Sequence, residues 1–355
     1  MRLPAIPAVD DSLVDRHQLS HRELAAVYAD ASPEAAKLFV LQQHRLVVEA
    51  LANVQPSIVR PQRPRFVVPP RAYLTLKQQR RMIGARAVFR HIDSRVEMRR
   101  CSLIEHVVES TTPVVLHALL EATEPDSDNE TNPGMMRVTP TEWSADPFAH
   151  PSPDVVRDLM DEAVATVNGS TEPGFVRAAW LTYVTTSVHP FVDGNGRAAA
   201  ALYLATVADS LEMGVDWGAL EQWAMWRDAY ITALRDGRET YEFDPGRMSA
   251  ASFVDFAGHA SIAGAELCAE RLRFLQSHLD VMAQQGLSRP VAFVHTFVAM
   301  RGVSTLREIS GCGLALSDLD DIIAELVRRD RLRWVKRPHG SRTSDSTEEL
   351  GLAEA

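Results

Sequence analysis

The sequence predicts a mainly α-helical protein, with an N-terminal helical arm, a helical core bearing one small β-hairpin flap, and a C-terminal helix-turn-helix module ending in a wing strand. Three observations carry this. Apolar residues recur at the helical 3.6 spacing through most of the chain. Strand-like runs are confined to two short stretches, near Val138–Thr141 and at Leu332–Arg337. Polar or proline-rich segments break the helical pattern at 56–70 and 121–133. A length of 355 residues implies two or three domains.

Composition narrows the function classes. With 46% hydrophobic and 24% charged residues, wholesale disorder is excluded. The net charge of −10 argues against a non-specific nucleic-acid coat. Three cysteines, Cys101, Cys268 and Cys312, form no CxxC pair and support neither a disulfide framework nor a conventional zinc site. The start, MRLPAIPAVDDS, has no secretory apolar region. The longest strongly apolar uncharged run, Ala198–Ala208, is 11 residues, short of a membrane span. A reducing, cytoplasmic setting with no membrane partner is the expectation.

The elements follow in order. Ser32 as N-cap, Pro33 at the first helical position and Glu34 in the first turn open a helix carrying Leu38, Val40, Leu41, Leu46, Val47 and Leu51. Five prolines between 56 and 70 then forbid helix and read as an extended connector. From Arg60 to Arg100, twelve Lys and Arg face only Asp93 and Glu97: a solvated helix face paired to acidic surface, or a docking face for an acidic partner. Residues 121–133 are acidic and polar, an exposed loop. Pro133-Gly134 begins the small hairpin. Ser152-Pro153 starts a helix whose stripe runs through Val155, Val156, Leu159, Met160, Ala163, Val164 and Val167, with Gly169 at its end. Helices are expected at 174–187, 196–209 and 217–235.

Between two of these helices lies HPFVDGNGR, His189–Arg197. Asp193–Gly196 is a tight turn whose glycines accept positive φ, and it opens directly into a helix. Backbone N–H groups at a helix N-terminus make an anion site. Arg197 adds a fork suited to phosphate oxygens, Asp193 a hard oxygen ligand for Mg²⁺, and His189 a proton acceptor near neutral pH. Phosphate cradle, metal carboxylate and base within nine residues suggest phosphoryl or nucleotidyl transfer.

The run resembles the HPFx[D/E]GN[G/K]R motif of the Fic (Fido) family at every specified position. PGMMR (Pro133–Arg137) resembles the start of that family's flap, PSPDVVRDLMDEAV and FVRAAWLTYVTTSVHPF its helices before the motif, and WRDAYITALRDG its later helix, so the likeness spans about residues 100–245. It implies a Mg²⁺-dependent protein adenylyltransferase that moves AMP from ATP onto a Ser, Thr or Tyr hydroxyl of a target protein. His189 would be the catalytic base and Asp193 the metal ligand. Gly194, Asn195, Gly196 and Arg197 would hold phosphates, Phe191 would anchor the loop, and Tyr230 and Leu234 would lie near the adenine. The flap at about 133–141 would present the target as an added strand. CSLIEH (Cys101–His106) resembles the family's self-inhibitory helix in degenerate form, with Glu105 as the regulatory residue; an exposed helix carboxylate is the other reading. Ala200 stands where many members carry a second arginine, which opens transfer of UMP, phosphate or phosphocholine as alternatives; a nucleotide-sensing regulator acting through the C-terminal module is a further reading.

The expected domains are an N-terminal region at 1–99, a core at 100–265, a linker helix with a winged-helix-like module at 266–340, and a disordered tail at 341–355. In the module, Thr305–Glu308 forms a capping box, Gly311–Gly313 a turn, and Ser317 a cap. Its second helix begins with Asp318, Asp320 and Asp321, which oppose a phosphate backbone, while Arg328, Arg329, Arg331, Arg333, Lys336 and Arg337 follow. Protein or homodimer contacts, or DNA, are the partners this allows.

Overall fold

The structure is a computed structural model describing residues 3–52, 76–122, 133–141, 148–238, 242–301, 303–313, 316–335 and 349–353. The connector expected at 56–70, most of the acidic stretch at 121–133 and residues 341–348 of the tail lie outside them.

The helices run α1 (Asp11–Asp30), α2 (Pro33–Leu51), α3 (Leu76–Arg100), α4 (Thr112–Glu121), α5 (Pro153–Gly169), α6 (Gly174–Val188), α7 (Asn195–Ala208), α8 (Ala219–Met225), α9 (Arg227–Arg235), α10 (Ala251–Gln284) and α11 (Arg289–Arg301). Strand β1 (Val303–Thr305), α12 (Leu306–Ser310), α13 (Leu316–Arg328), β2 (Leu332–Val335) and β3 (Glu349–Leu352) complete the chain. Among the described residues no helix is long and apolar enough to cross a membrane, and none of the three cysteines is in a disulfide.

Two compact units emerge, and they do not follow the expected boundaries. Of the described residues, those within 3–25, 45–52 and 76–266 make up the first and those within 26–44 and 267–353 the second. The expected N-terminal region is therefore divided between them. Helix α1 precedes the first helix signalled in sequence. Its buried stripe is Leu13, His17, Ser20 and Leu24, so polar residues occupy inward positions that a count of apolar spacing passes over. Asp10 caps it, accepting the Ser12 N–H at 3.0 Å.

The centre of the first unit is the pair α6 and α7, packed along each other, with α5 against α6 and with α3 and α4 against α7. All but two residues of each central helix are buried, the signature of a helix apolar all round. The run Ala198–Ala201 brings the backbones close, and the Thr182 hydroxyl lies 3.3 Å from the Ala199 carbonyl oxygen of the facing helix. Trp180, Tyr183, Tyr203, Phe175, Phe191 and Phe253 are the largest buried side chains here.

Three expectations are corrected. The segment 217–235 is two helices, broken at Trp226 (φ −100°, ψ 40°); the break packs Trp226 against Phe256 while Tyr230 stacks on Trp223. Residues 101–106 are not a helix. Helix α3 ends in a left-handed Ser102 (φ 57°), with Leu103 N–H donating to the Met98 carbonyl and Ser102 N–H to that of Arg99, a Schellman ending that turns the chain away. Among the described residues of 133–141 no strand forms; Pro133 and Pro140 lack donors, and Arg137 is drawn inward instead.

The arginines at the end of α3 fold back on their own unit. Arg95 pairs with Glu109 at 2.8 Å, Arg99 with Asp209 at 3.5 Å, and Arg100 donates to the Glu212 carbonyl. These three follow the paired reading; Arg60, Arg63, Arg65 and Arg71 of the same basic run lie outside the described residues.

In the second unit the sheet order is β1-β3-β2, all antiparallel. Helix α13 buries Leu319, Ile322, Ile323 and Leu326 and exposes Asp318, Asp320 and Asp321. The tail expected to be disordered supplies the central strand. Leu350, fully buried, pairs with both Ser304 and Trp334, and its single apolar side chain between Glu349 and Gly351 is too short a signal to read as a strand. His295 on α11 is buried, and burial, with nearby His278 and Arg331, pushes its pKa down to about 4. Between pH 6.5 and 4 the unfolded chain takes up a proton that the folded unit refuses, so stability falls as the pH is lowered through this window, by at most about 3 kcal/mol. His295→Gln is expected to flatten the dependence of the thermal midpoint on pH across it; an unchanged slope would refute this.

Candidate active site

The site is built where α6 ends and α7 begins. Helix α6 stops at His189, which takes the left-handed conformation (φ 53°, ψ 61°) and donates its N–H to the Thr185 carbonyl at 3.0 Å. Pro190 follows and forbids further helix. A β-carbon costs energy in this region, roughly 1 kcal/mol or more, so something must hold His189 there.

Arg137 does. Buried, it donates through Nε to the His189 carbonyl at 2.8 Å, and through its terminal nitrogens to the carbonyls of Val188, Pro151 and Thr139. Its own N–H donates to the Pro190 carbonyl at 2.8 Å. The guanidinium thus satisfies the last carbonyls of α6, where the helix dipole favours a cation. The segment expected as a flap is tied to the His189–Arg197 loop by this side chain, which sequence reading had placed only within a matching stretch.

The loop's shape comes from the motif itself. The Asn195 side chain accepts from the Phe191 N–H and donates to the Phe191 carbonyl, both at 2.8 Å. That corrects part of its expected role: its amide group closes the loop, leaving only its backbone N–H to face an anion. Phe191, fully buried, stacks on His117 with centroids 3.8 Å apart and planes 2° apart. Gly194 is left-handed (φ 77°), and a β-carbon there would meet the Glu121 carboxylate at 2.4 Å and the His117 ring at 3.3 Å. Gly196, by contrast, faces open space. The first amides of α7 therefore present donors without helical acceptors at an open position.

Two residues on α4, one turn apart, complete the site and were missed in sequence. His117 donates from Nε2 to the Asp193 carbonyl and accepts the Gly134 N–H at Nδ1, each at 3.0 Å. This pattern requires the neutral ring, and burial accordingly pushes its pKa down to about 4. Glu121, buried, meets the buried Arg197 guanidinium at 2.7 Å. Asp193 is 47% exposed; one carboxylate oxygen accepts the Gly194 N–H at 2.6 Å and the other lies 3.9 Å from Arg197. The signal for both α4 residues was their i, i+4 spacing, but only the fold shows which loop they face.

The expected regulatory residue sits elsewhere. Glu105 is 89% exposed and lies 3.7 Å from His106. The carboxylate that meets Arg197 is Glu121. Tyr230 packs among Trp223, Phe253 and Phe256, and burial pushes its pKa up to about 12; Leu234 follows one turn later on α9. The His189 ring lies against that of His150, centroids 4.5 Å apart, and His150 is fixed by a hydrogen bond from Nδ1 to the Ser187 carbonyl.

Comparison with known proteins agrees with this geometry. The Fic/DOC family profile matches residues 111–206. No curated protein sequence matches the chain. Among solved structures, a Fic family protein from Desulfovibrio desulfuricans G20 is similar at TM-score 0.51 and 14% identity, covering 99% of this chain and 98% of that one. A Fic domain containing signaling protein from Bacteroides thetaiotaomicron VPI-5482 is similar at TM-score 0.55 and 16% identity, covering 73% and 97%. At these identities the likeness is one of fold.

Proposed function

Since residues 111–206 of this chain form a Fic/DOC family domain, we propose that the protein is an adenylyltransferase moving AMP from ATP onto a Ser, Thr or Tyr hydroxyl of a target protein. Fic domain proteins are generally transferases of a nucleotide or another group. What carries the finer reading is one juxtaposition: a base, His189, held left-handed at the end of α6, five residues before the left-handed Gly194 that opens α7.

In this reading His189 takes the proton of the target hydroxyl as its oxygen bonds to the α-phosphorus, and pyrophosphate leaves as the bond to the β-phosphate oxygen breaks. The amides of Asn195 and Gly196, with Arg197, receive the phosphates, while the expected role of the Gly194 amide is corrected because its N–H is taken by the Asp193 carboxylate. Tyr230 and Leu234 take the adenine side, and the stretch near Met135–Thr139 meets the target segment. Asp193 fits Mg²⁺: it offers a half-exposed hard oxygen beside an anion cradle, and Mg²⁺ keeps most of its waters, needing few protein ligands. Bound there, the ion would neutralise charge on the phosphates.

The C-terminal unit runs helix, strand, helix, helix, strand, strand, the order of a winged helix-turn-helix. The exposed acidic first turn of α13 favours a protein partner or a second copy over DNA. A cytoplasmic location belongs to the same proposal.

The test is incubation with Mg²⁺ and ATP labelled at the α- or the γ-phosphate, with intact mass of the products. Gain of one AMP and label from the α-position only is the expected result. Label from the γ-position, or from another nucleotide, would replace it with a second reading, favoured by Ala200: one turn after Arg197, it supplies no charge for a terminal phosphate. No label from any donor would sink both.

Glu121 sets a further expectation. It occupies the guanidinium that phosphates would engage, so Glu121→Gln should tighten ATP binding by about tenfold, equivalent to roughly 1.4 kcal/mol. Without ligand the variant should melt lower, because one partner of a buried pair is gone. Calorimetric titration beside thermal melts checks it; unchanged affinity would place Glu121 in a purely structural role.

A further inference from the structure

A second cluster lies in the first unit, away from the catalytic loop. His17 and His21, one turn apart on α1, and Asp216, before α8, bring their ligand atoms within 4.8 Å of one another. Both imidazole Nε2 atoms lie against the Ser261 hydroxyl of α10, at 3.0 and 2.9 Å. Ser261 and the Tyr203 hydroxyl of α7 each donate to the same oxygen of Asp216, Oδ2, at 2.6 and 2.9 Å. The other oxygen, Oδ1, has no hydrogen-bond partner, although Asp216 is 0% exposed. His21 Nε2 stands 4.0 Å from it.

This arrangement leaves a charge unanswered. The tyrosine and serine are neutral donors, and both act on Oδ2 while the buried Oδ1 is left unpartnered. A buried carboxylate without a cation is costly. Two histidines at i, i+4 on one helix face present both Nε2 atoms to one point, and two nitrogens with one carboxylate oxygen suit zinc better than Mg²⁺ or Ca²⁺.

We propose that His17, His21 and the free oxygen of Asp216 form a structural zinc site, with the Ser261 hydroxyl or a water as fourth ligand. The ion ties α1 to the residues before α8 and, through Asp216 and Tyr203, braces α7, the helix whose first turn is the phosphate cradle. His21, at the edge of the cluster, is the route of access. Loading draws the ligand atoms together by about an ångström, since Zn–N bonds are roughly 2.0–2.1 Å.

The experiment uses the full chain. Elemental analysis of protein purified without chelator should find about one zinc per chain. After chelator treatment the thermal midpoint should fall, and Zn²⁺ should restore it. Co²⁺ added to the stripped protein should give the visible absorption of a tetrahedral site. His21→Gln, which keeps a polar side chain at the edge of the cluster, should lose the metal and the cobalt spectrum, whereas Asp193→Ala should keep both. Stripped wild type that takes up neither Zn²⁺ nor Co²⁺ overturns the site. So does an ion that is lost with Asp193→Ala and retained with His21→Gln.

Discussion

Arg137→Ala should lower both stability and transfer, and no other single change in the loop should affect both so strongly. The side chain satisfies carbonyls of Val188, His189, Pro151 and Thr139 at once. Its removal takes this donor from all four carbonyls, two of them on the buried residues Val188 and Pro151, for which about 3–5 kcal/mol is the expected loss. His189 then has no clamp on its left-handed backbone, and a displacement of about 1 Å at a reacting group costs on the order of 10²-fold in rate. Arg137→Lys should recover part of the stability, because one ammonium can reach one or two carbonyls, but little of the rate, because it lacks the planar fork. Denaturant melts and initial rates on the same preparations decide it. A normal rate in a destabilised Arg137→Ala protein would show that the clamp serves folding alone.

His189→Ala should separate the same two quantities. The residue is half-buried, and the fold is held by its backbone carbonyl and N–H, which alanine keeps. Stability should change little. Transfer should fall by ~10²–10⁴-fold, the usual value of a positioned base, with ATP affinity unchanged because the proposed phosphate donors lie on α7. Transfer at the wild-type rate in this variant would remove His189 from the mechanism.

Much of this site was legible in the sequence because it is local. HPFVDGNGR encodes its own geometry: proline stops one helix, glycine permits the left-handed turn, and asparagine four residues after phenylalanine closes the loop on itself. Each of those interactions spans only a few residues, so spacing reveals it. The helices at 33–51, 153–169, 174–188 and 195–208 were readable for the same reason, since amphipathic period and caps are near-neighbour properties.

Distant residues left no such mark. Glu121 is 76 residues from Arg197, and His17 is 244 from Ser261; nothing local announces either encounter. Glu105 fitted a sequence pattern, yet the Schellman ending after α3 turns it to solvent. The strand β3 was hidden in a polar tail because its stability comes from pairing on both edges with β1 and β2, not from its own composition. By itself, then, the sequence determined the helical class, the main helices and the self-contained loop from His189 to Arg197. Only tertiary packing decided which carboxylate meets Arg197, what holds His189, and that two histidines of α1 face a buried aspartate, because burial and charge pairing depend on what the folded chain brings together.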